Sequence, residues 1–180
     1  MTKIILLESL KRFSEEKTSD LLLPVRRQEE DESPPPPRSP SVFLMRLPDF
    51  RSATKKAPYM LHQIITGADV QPAGDPAPFA SAVVRTVFCA YCEDEQEGSL
   101  HLLNMMERLR ISLLETPKID KQFELDLSAG LECMPYPDGP NAADRSAPYF
   151  LGEMLSTWKM PKIKRKDCNP WQKMQQPPMK

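Results

Sequence analysis

The sequence predicts an α/β protein of the α+β kind, a mixed, mostly antiparallel sheet packed against two helices. Two segments place apolar residues at helical spacing, several others are short and rich in β-branched or aromatic residues, and one alternates apolar with acidic side chains. The 20 prolines, against 6 glycines, favour stiff extended connections and argue against an all-helical bundle. At 180 residues the chain fits one domain. Composition places that domain at 1–165, with an acidic, proline-rich loop at 28–40 and a basic, flexible C-terminal tail at 166–180.

Residues 3–17 carry Ile4, Leu7, Leu10 and Phe13 at spacings of three, with Lys11, Arg12, Glu15 and Glu16 elsewhere around the turn, as in an amphipathic helix. Leu21-Leu22-Leu23-Pro24-Val25 reads as a short strand edged by proline that awaits a hairpin partner. In the loop, Glu29-Glu30-Asp31-Glu32 and Pro34-Pro35-Pro36-Pro37 offer almost no apolar surface, so it reads as a solvated spacer rather than a docking peptide. Val42-Phe43-Leu44-Met45 and the run from Tyr59 to Ile65, closed by Thr66-Gly67, have strand length and composition. A loop from Gln71 to Pro78 leads to the run from Ala82 to Cys92, whose β-branched and aromatic content marks a central strand.

After the acidic turn Glu93 to Gly98, Ser99 is placed to cap a helix from Leu100 to Glu115, which Thr116-Pro117 ends. Its Leu102, Met105, Met106, Leu109 and Leu113 share one face, which should cover the sheet rather than form an adaptable methionine groove. Phe123, Leu125 and Leu127 alternate with Glu124 and Asp126, and Leu131, Cys133 and Pro135 resume the pattern after Gly130, as strands buried on one face do. Beyond a polar loop from Tyr136 to Ala147, the stretch from Tyr149 to Ile163 reads as a strand carrying Trp158 or as a short helix. Gly152 and the aromatic ends favour the strand.

A formal net charge of -1 points to neither nucleic acid nor membrane as an obvious partner. The apolar run at the N-terminus is too short for a signal peptide, and none approaches the roughly 18 residues of a membrane span, so a soluble protein is expected. Four cysteines are too few for a disulfide scaffold and read as cytosolic thiols. Cys89 and Cys92 have the spacing for zinc or disulfide exchange, but on a strand they point to opposite faces, and Cys133 and Cys168 lie too far along the chain to complete a motif. His62 and His101 lie in no recognisable nucleophile, metal or phosphate motif, and the carboxylates at 29–32 and 93–97 read as solvated turns. No enzymatic activity, metal or cofactor is therefore expected. Lys162, Lys164, Arg165 and Lys166 form a basic run whose plainer reading is a solvated tail, with salt-sensitive contact to phosphates or a partner as the alternative.

Ala57-Pro58-Tyr59-Met60, then Val83-Val84-Arg85-Thr86-Val87 to Tyr91, Glu93-Asp94 to Gly98, and Met106-Glu107-Arg108-Leu109-Arg110 to Leu113-Leu114 form a strand, strand, acidic turn and long helix. Phe123-Glu124-Leu125, Pro148-Tyr149-Phe150-Leu151-Gly152-Glu153 and Trp158 follow as closing strands. On these residues the chain, over roughly 3–165, resembles the bacteriophage tail-terminator or tail-completion proteins and related minor tail proteins of the neck. The resemblance implies a structural protein that assembles as a hexameric ring, caps the tail tube, ends tail elongation and forms part of the head–tail junction. Its implied partners are further copies of itself, the tail tube protein and the head–tail connector protein, with DNA contact through the ring lumen left open. Its implied locations are the bacterial host cytoplasm during assembly, then the virion tail or neck. A head–tail connector or other neck adaptor is the alternative. The loop at 28–40 is longer and more polar than the family pattern needs, and the residues after Arg165 are an addition to it.

Overall fold

The computed structural model describes residues 2–27, 33, 35–48, 56–70, 79–136 and 147–161. Along the chain they form α1 (Lys3–Lys17), β1 (Ser41–Leu44), β2 (Tyr59–Val70), β3 (Phe79–Tyr91), α2 (Glu95–Glu115), β4 (Lys118–Ile119), β5 (Phe123–Leu125), a 3-10 turn (Leu127–Ala129), β6 (Leu131–Pro135) and β7 (Tyr149–Lys159). The strands make one sheet in the order β1-β2-β3-β7-β5-β4, with β6 also on β7. β1 runs parallel to β2, and every other pairing is antiparallel. The structure thus has the predicted α+β architecture, with β3 central between β2 and β7.

Both helices lie on one face of the sheet. Leu6, Leu7, Leu10 and Phe13 of α1 and Leu102, Met105, Met106, Leu109 and Leu113 of α2 pack on Met60, Val84, Phe88, Met154 and Trp158 in one core. Each large apolar side chain so removed from water contributes about 1.5–3 kcal/mol. The predicted α2 stripe is buried in full, and the polar Ser112 is buried with it. In α1 the stripe differs from expectation, since Leu6 is buried while Ile4 is 65% exposed. Residues nine apart at about 100° per residue lie half a turn from each other, so Ile4 cannot share the face of Phe13.

Several boundaries move, and one expected strand does not form. α2 begins at Glu95 rather than Leu100, because Asp94 and not Ser99 is the N-cap: the Asp94 side chain accepts the Glu97 N–H at 2.8 Å. Gly98 then lies inside the helix, where a Cβ would strike the Phe150 ring, so only glycine lets α2 approach the start of β7 this closely. Leu127 leaves the predicted strand. Asp126 still pairs, its N–H reaching the Thr157 carbonyl at 2.7 Å, but its carboxylate accepts from Ser128 N–H and Oγ and starts the 3-10 turn. The chain rejoins β7 only at Leu131, opposite Ser156, after Gly130 turns it back with φ 84°. The segment 21–25 forms no strand, only one bridge in which Leu23 and Arg38 exchange backbone hydrogen bonds at 3.0 Å. Arg38 also donates to Ser41 Oγ at 2.6 Å and to the Lys56 carbonyl at 2.7 Å, which ties the end of the proline-rich loop to the approach to β2. Finally, β2 runs past Gly67 to Val70, held by pairing through Val70 with Phe79.

The stretch from Tyr149 is a strand, not a helix. The loop at 71–78, residues 137–146 of the polar loop, residues 28–32 and 34 of the acidic loop and the tail at 166–180 lie outside the described residues. No helix among the described residues is long and apolar enough to cross a membrane.

Candidate functional site

Of the residues singled out for chemistry, His62, Cys89 and Cys92 are buried. His62 is fully buried, its Nε2 2.9 Å from Ser14 Oγ and its Nδ1 2.8 Å from Thr86 Oγ1. The three side chains form a polar ladder from α1 through β2 to β3, in which one ring nitrogen donates and the other accepts. Burial lowers the His62 pKa to about 4, so the ring is neutral. Buried and neutral, it ties α1 to β2 and β3 through these two hydrogen bonds. Cys89 is buried beside Tyr59 on the opposite face, and burial pushes its thiol up to about 12, which leaves it protonated and inert. Cys92 belongs to the helix-side core instead, so the two thiols do lie on opposite sides of the sheet. Lys162, Lys164, Arg165, Lys166 and Cys168 lie outside the described residues.

The surface offers a better candidate. The face away from the helices carries a small cluster of Leu47, Ala57, Tyr59, Leu61, Cys89 and Tyr91, with Phe43, Val87, Tyr149 and Leu151 half-buried around it. Arg26 donates to Tyr149 Oη at 2.8 Å and lies over that ring. Farther along the same face Arg85 meets Glu153 at 3.5 Å, and its buried Nε has no hydrogen-bond partner among the described residues.

From this face the β2–β3 hairpin runs out past its support. β1 pairs only with Tyr59 to His62, and the chain after it adds Met45 N–H to the His62 carbonyl at 2.8 Å, Gln63 Nε2 to the Met45 carbonyl at 2.9 Å and, last on that side among the described residues, Ile64 N–H to Met45 Sδ at 3.4 Å. Beyond a bulge at Ile65, residues 65–70 are exposed, and their outer edge pairs with no described strand. Ile65 and Val70 there are 50% and 47% exposed. An edge strand of this kind presents unpaired N–H and C=O groups to another chain. The other side of the sheet is managed differently. There β4 has two residues, β5 has three, the 3-10 turn interrupts the course toward β6, and Lys159 reaches Glu124 at 2.7 Å. Short, broken and charged strands discourage pairing.

Sequence reading did not single out 65–70, because Thr66-Gly67 looked like the end of a strand. The apolar Ile65 and Val70 on either side were the available signal. The groove between α1 and β1, lined by Lys11, Glu15, Arg38 and Phe43 among others, is open to solvent and holds no histidine or cysteine. No family model matches the sequence, and a search of curated proteins finds no significant relative.

Proposed function

We propose that the protein is a non-enzymatic structural subunit of a phage or prophage tail, which caps the tail tube, ends elongation and joins the head–tail junction as a ring. The observation that carries the proposal is the exposed outer edge of β2 over residues 65–70, which pairs with no described strand. One surface of each copy would meet a different surface of the next, and such heterologous contacts close into a ring when the rotation between copies divides a full turn. In that arrangement the open edge meets a different surface of the next copy, because edge-to-edge pairing of two copies would give a symmetric dimer instead of a ring. The mixed sheet with two helices on one face agrees with the architecture that the family resemblance implies. The function is binding, and it needs no reactive group.

Light scattering over a range of concentrations, with negative-stain images of the same fractions, tests the reading. We expect a six-subunit ring that binds the end of tail tubes and stops their growth in a reconstituted tube-assembly assay. A monomer at every concentration that leaves tube length unchanged would overturn it, and binding to the portal side instead would identify a neck adaptor.

A further inference from the structure

We propose that Cys92, Glu97 and His101 form a site for a zinc-like divalent cation that joins the end of β3 to the first turns of α2. The Cys92 sulfur, a Glu97 carboxylate oxygen and a His101 ring nitrogen all lie within 4.8 Å of one another. Four-coordinate zinc, with bonds of 2.0–2.3 Å, sets its donors roughly 3.3–3.7 Å apart. Small rotations of the outer two side chains close that gap, since Glu97 is exposed and His101 half-buried.

The backbone brings the three donors together for reasons independent of any ion. Cys92 follows β3 directly, and its N–H donates to the Pro148 carbonyl at 3.0 Å, which holds it at the sheet. Asp94 starts the helix two residues later, so Glu97 and His101, four apart, share one face of its first turns. Contact of Gly98 with Phe150 presses those turns toward the sheet beside Cys92. Cys92 is a free thiol at the margin of the helix-side core, buried, while Glu97 is exposed and His101 half-buried.

The donor set selects the class of ion. One thiolate and one imidazole favour a borderline-soft metal such as zinc or cobalt, and a single carboxylate is far from the six or more oxygens that calcium takes. On binding, the Cys92 thiol gives up its proton to solvent, and thiolate plus carboxylate neutralise the ion. A cation near a helix N-terminus is disfavoured by the helix dipole. Glu93, Asp94 and Glu95, beside Glu97, offset that field. Three protein donors leave the fourth position to water. The cation would act as a staple that fixes the acidic turn between strand and helix, a role that does not depend on tail assembly.

Titration of the full chain with cobalt(II) under reducing conditions tests the site through the thiolate-to-cobalt charge-transfer absorption. We expect saturation at one cobalt per chain, bleaching by zinc, and a higher Tm with the ion bound. Cys92→Ala should abolish the absorption. His101→Gln and Glu97→Gln, both at solvent-accessible positions, should retain the fold by circular dichroism yet weaken binding at least about tenfold. Absence of the absorption in the parent chain, its survival in Cys92→Ala, or parental affinity in both folded glutamine variants overturns the proposal.

Discussion

The two halves of β2 belong to different environments. Tyr59 to His62 pair on both sides, with β1 and β3, and are buried. Among the described residues, 65–70 pair on one side only, with β3, and they are exposed although Ile65 and Val70 are apolar. The near half is what folding needs from this strand. The far half adds backbone pairing to β3 but buries little, and on the proposed function it is the half that meets a neighbouring copy. Substitutions along the strand should therefore separate cleanly into those that change stability and those that change association.

The largest loss is expected at the near half. Met60 is fully buried in the core between the sheet and the helices. Met60→Ala should cost about 2–5 kcal/mol, through lost burial and the cavity left behind. Urea denaturation would measure it as a lower midpoint with an unchanged slope. A loss below about 1 kcal/mol would mean that this half is less essential than its burial implies.

Acid should weaken the same half. His62 has a folded pKa of about 4, below its ordinary 6.5, so between these values the unfolded chain binds the proton more readily. Stability is then fully present above pH 6.5 and falls as the pH drops toward 4, by something on the order of 3 kcal/mol in total. Denaturation midpoints across this range, compared with those of a His62→Gln variant, isolate the contribution. A parallel decline in that variant would assign it to other groups. Ser14→Ala is the milder test of the ladder, since it strips His62 Nε2 of its partner. We expect a loss of about 1–3 kcal/mol, the cost of a buried polar atom left unsatisfied. A neutral result would show that the ring reorients or that water fills the place.

Patterns that depend on local periodicity were legible in the sequence. The α2 stripe, the central strand and the strand character of the run from Tyr149 all followed from spacing and composition. Errors arose where a side chain competes with the regular pattern. Asp94 captured the Glu97 N–H and advanced the helix start, and Asp126 captured Ser128 and expelled Leu127 from its strand. The length of β2 was hidden because pairing with β3 overrides the stop signal of Gly67. The cation site was hidden for a related reason. By spacing Cys92 pairs most readily with Cys89, three residues back, whereas Glu97 and His101 stand ahead of it on a helix that starts at Glu95. Once Asp94 is taken as the cap, Glu97 and His101 fall within the helix at the spacing of one turn.

The smallest effect on stability is the one that most sharpens the contrast within β2. Replacing Ile65 and Val70 together by lysine leaves the core untouched, since both side chains already face solvent. Each change should shift stability by no more than about 0.5 kcal/mol. On the outer edge, however, the lysines place like charges wherever a neighbouring chain would pair, which is how natural edge strands avoid association. The expected outcome is a chain with its parental denaturation midpoint that no longer forms the ring in light scattering. An intact ring would move the subunit contact away from this edge, for example to the helix-free face around Tyr149 and Leu151. A large fall in the midpoint would instead show that the far half of β2 belongs to the fold, and the division of the strand into a folding half and an associating half would have to be abandoned.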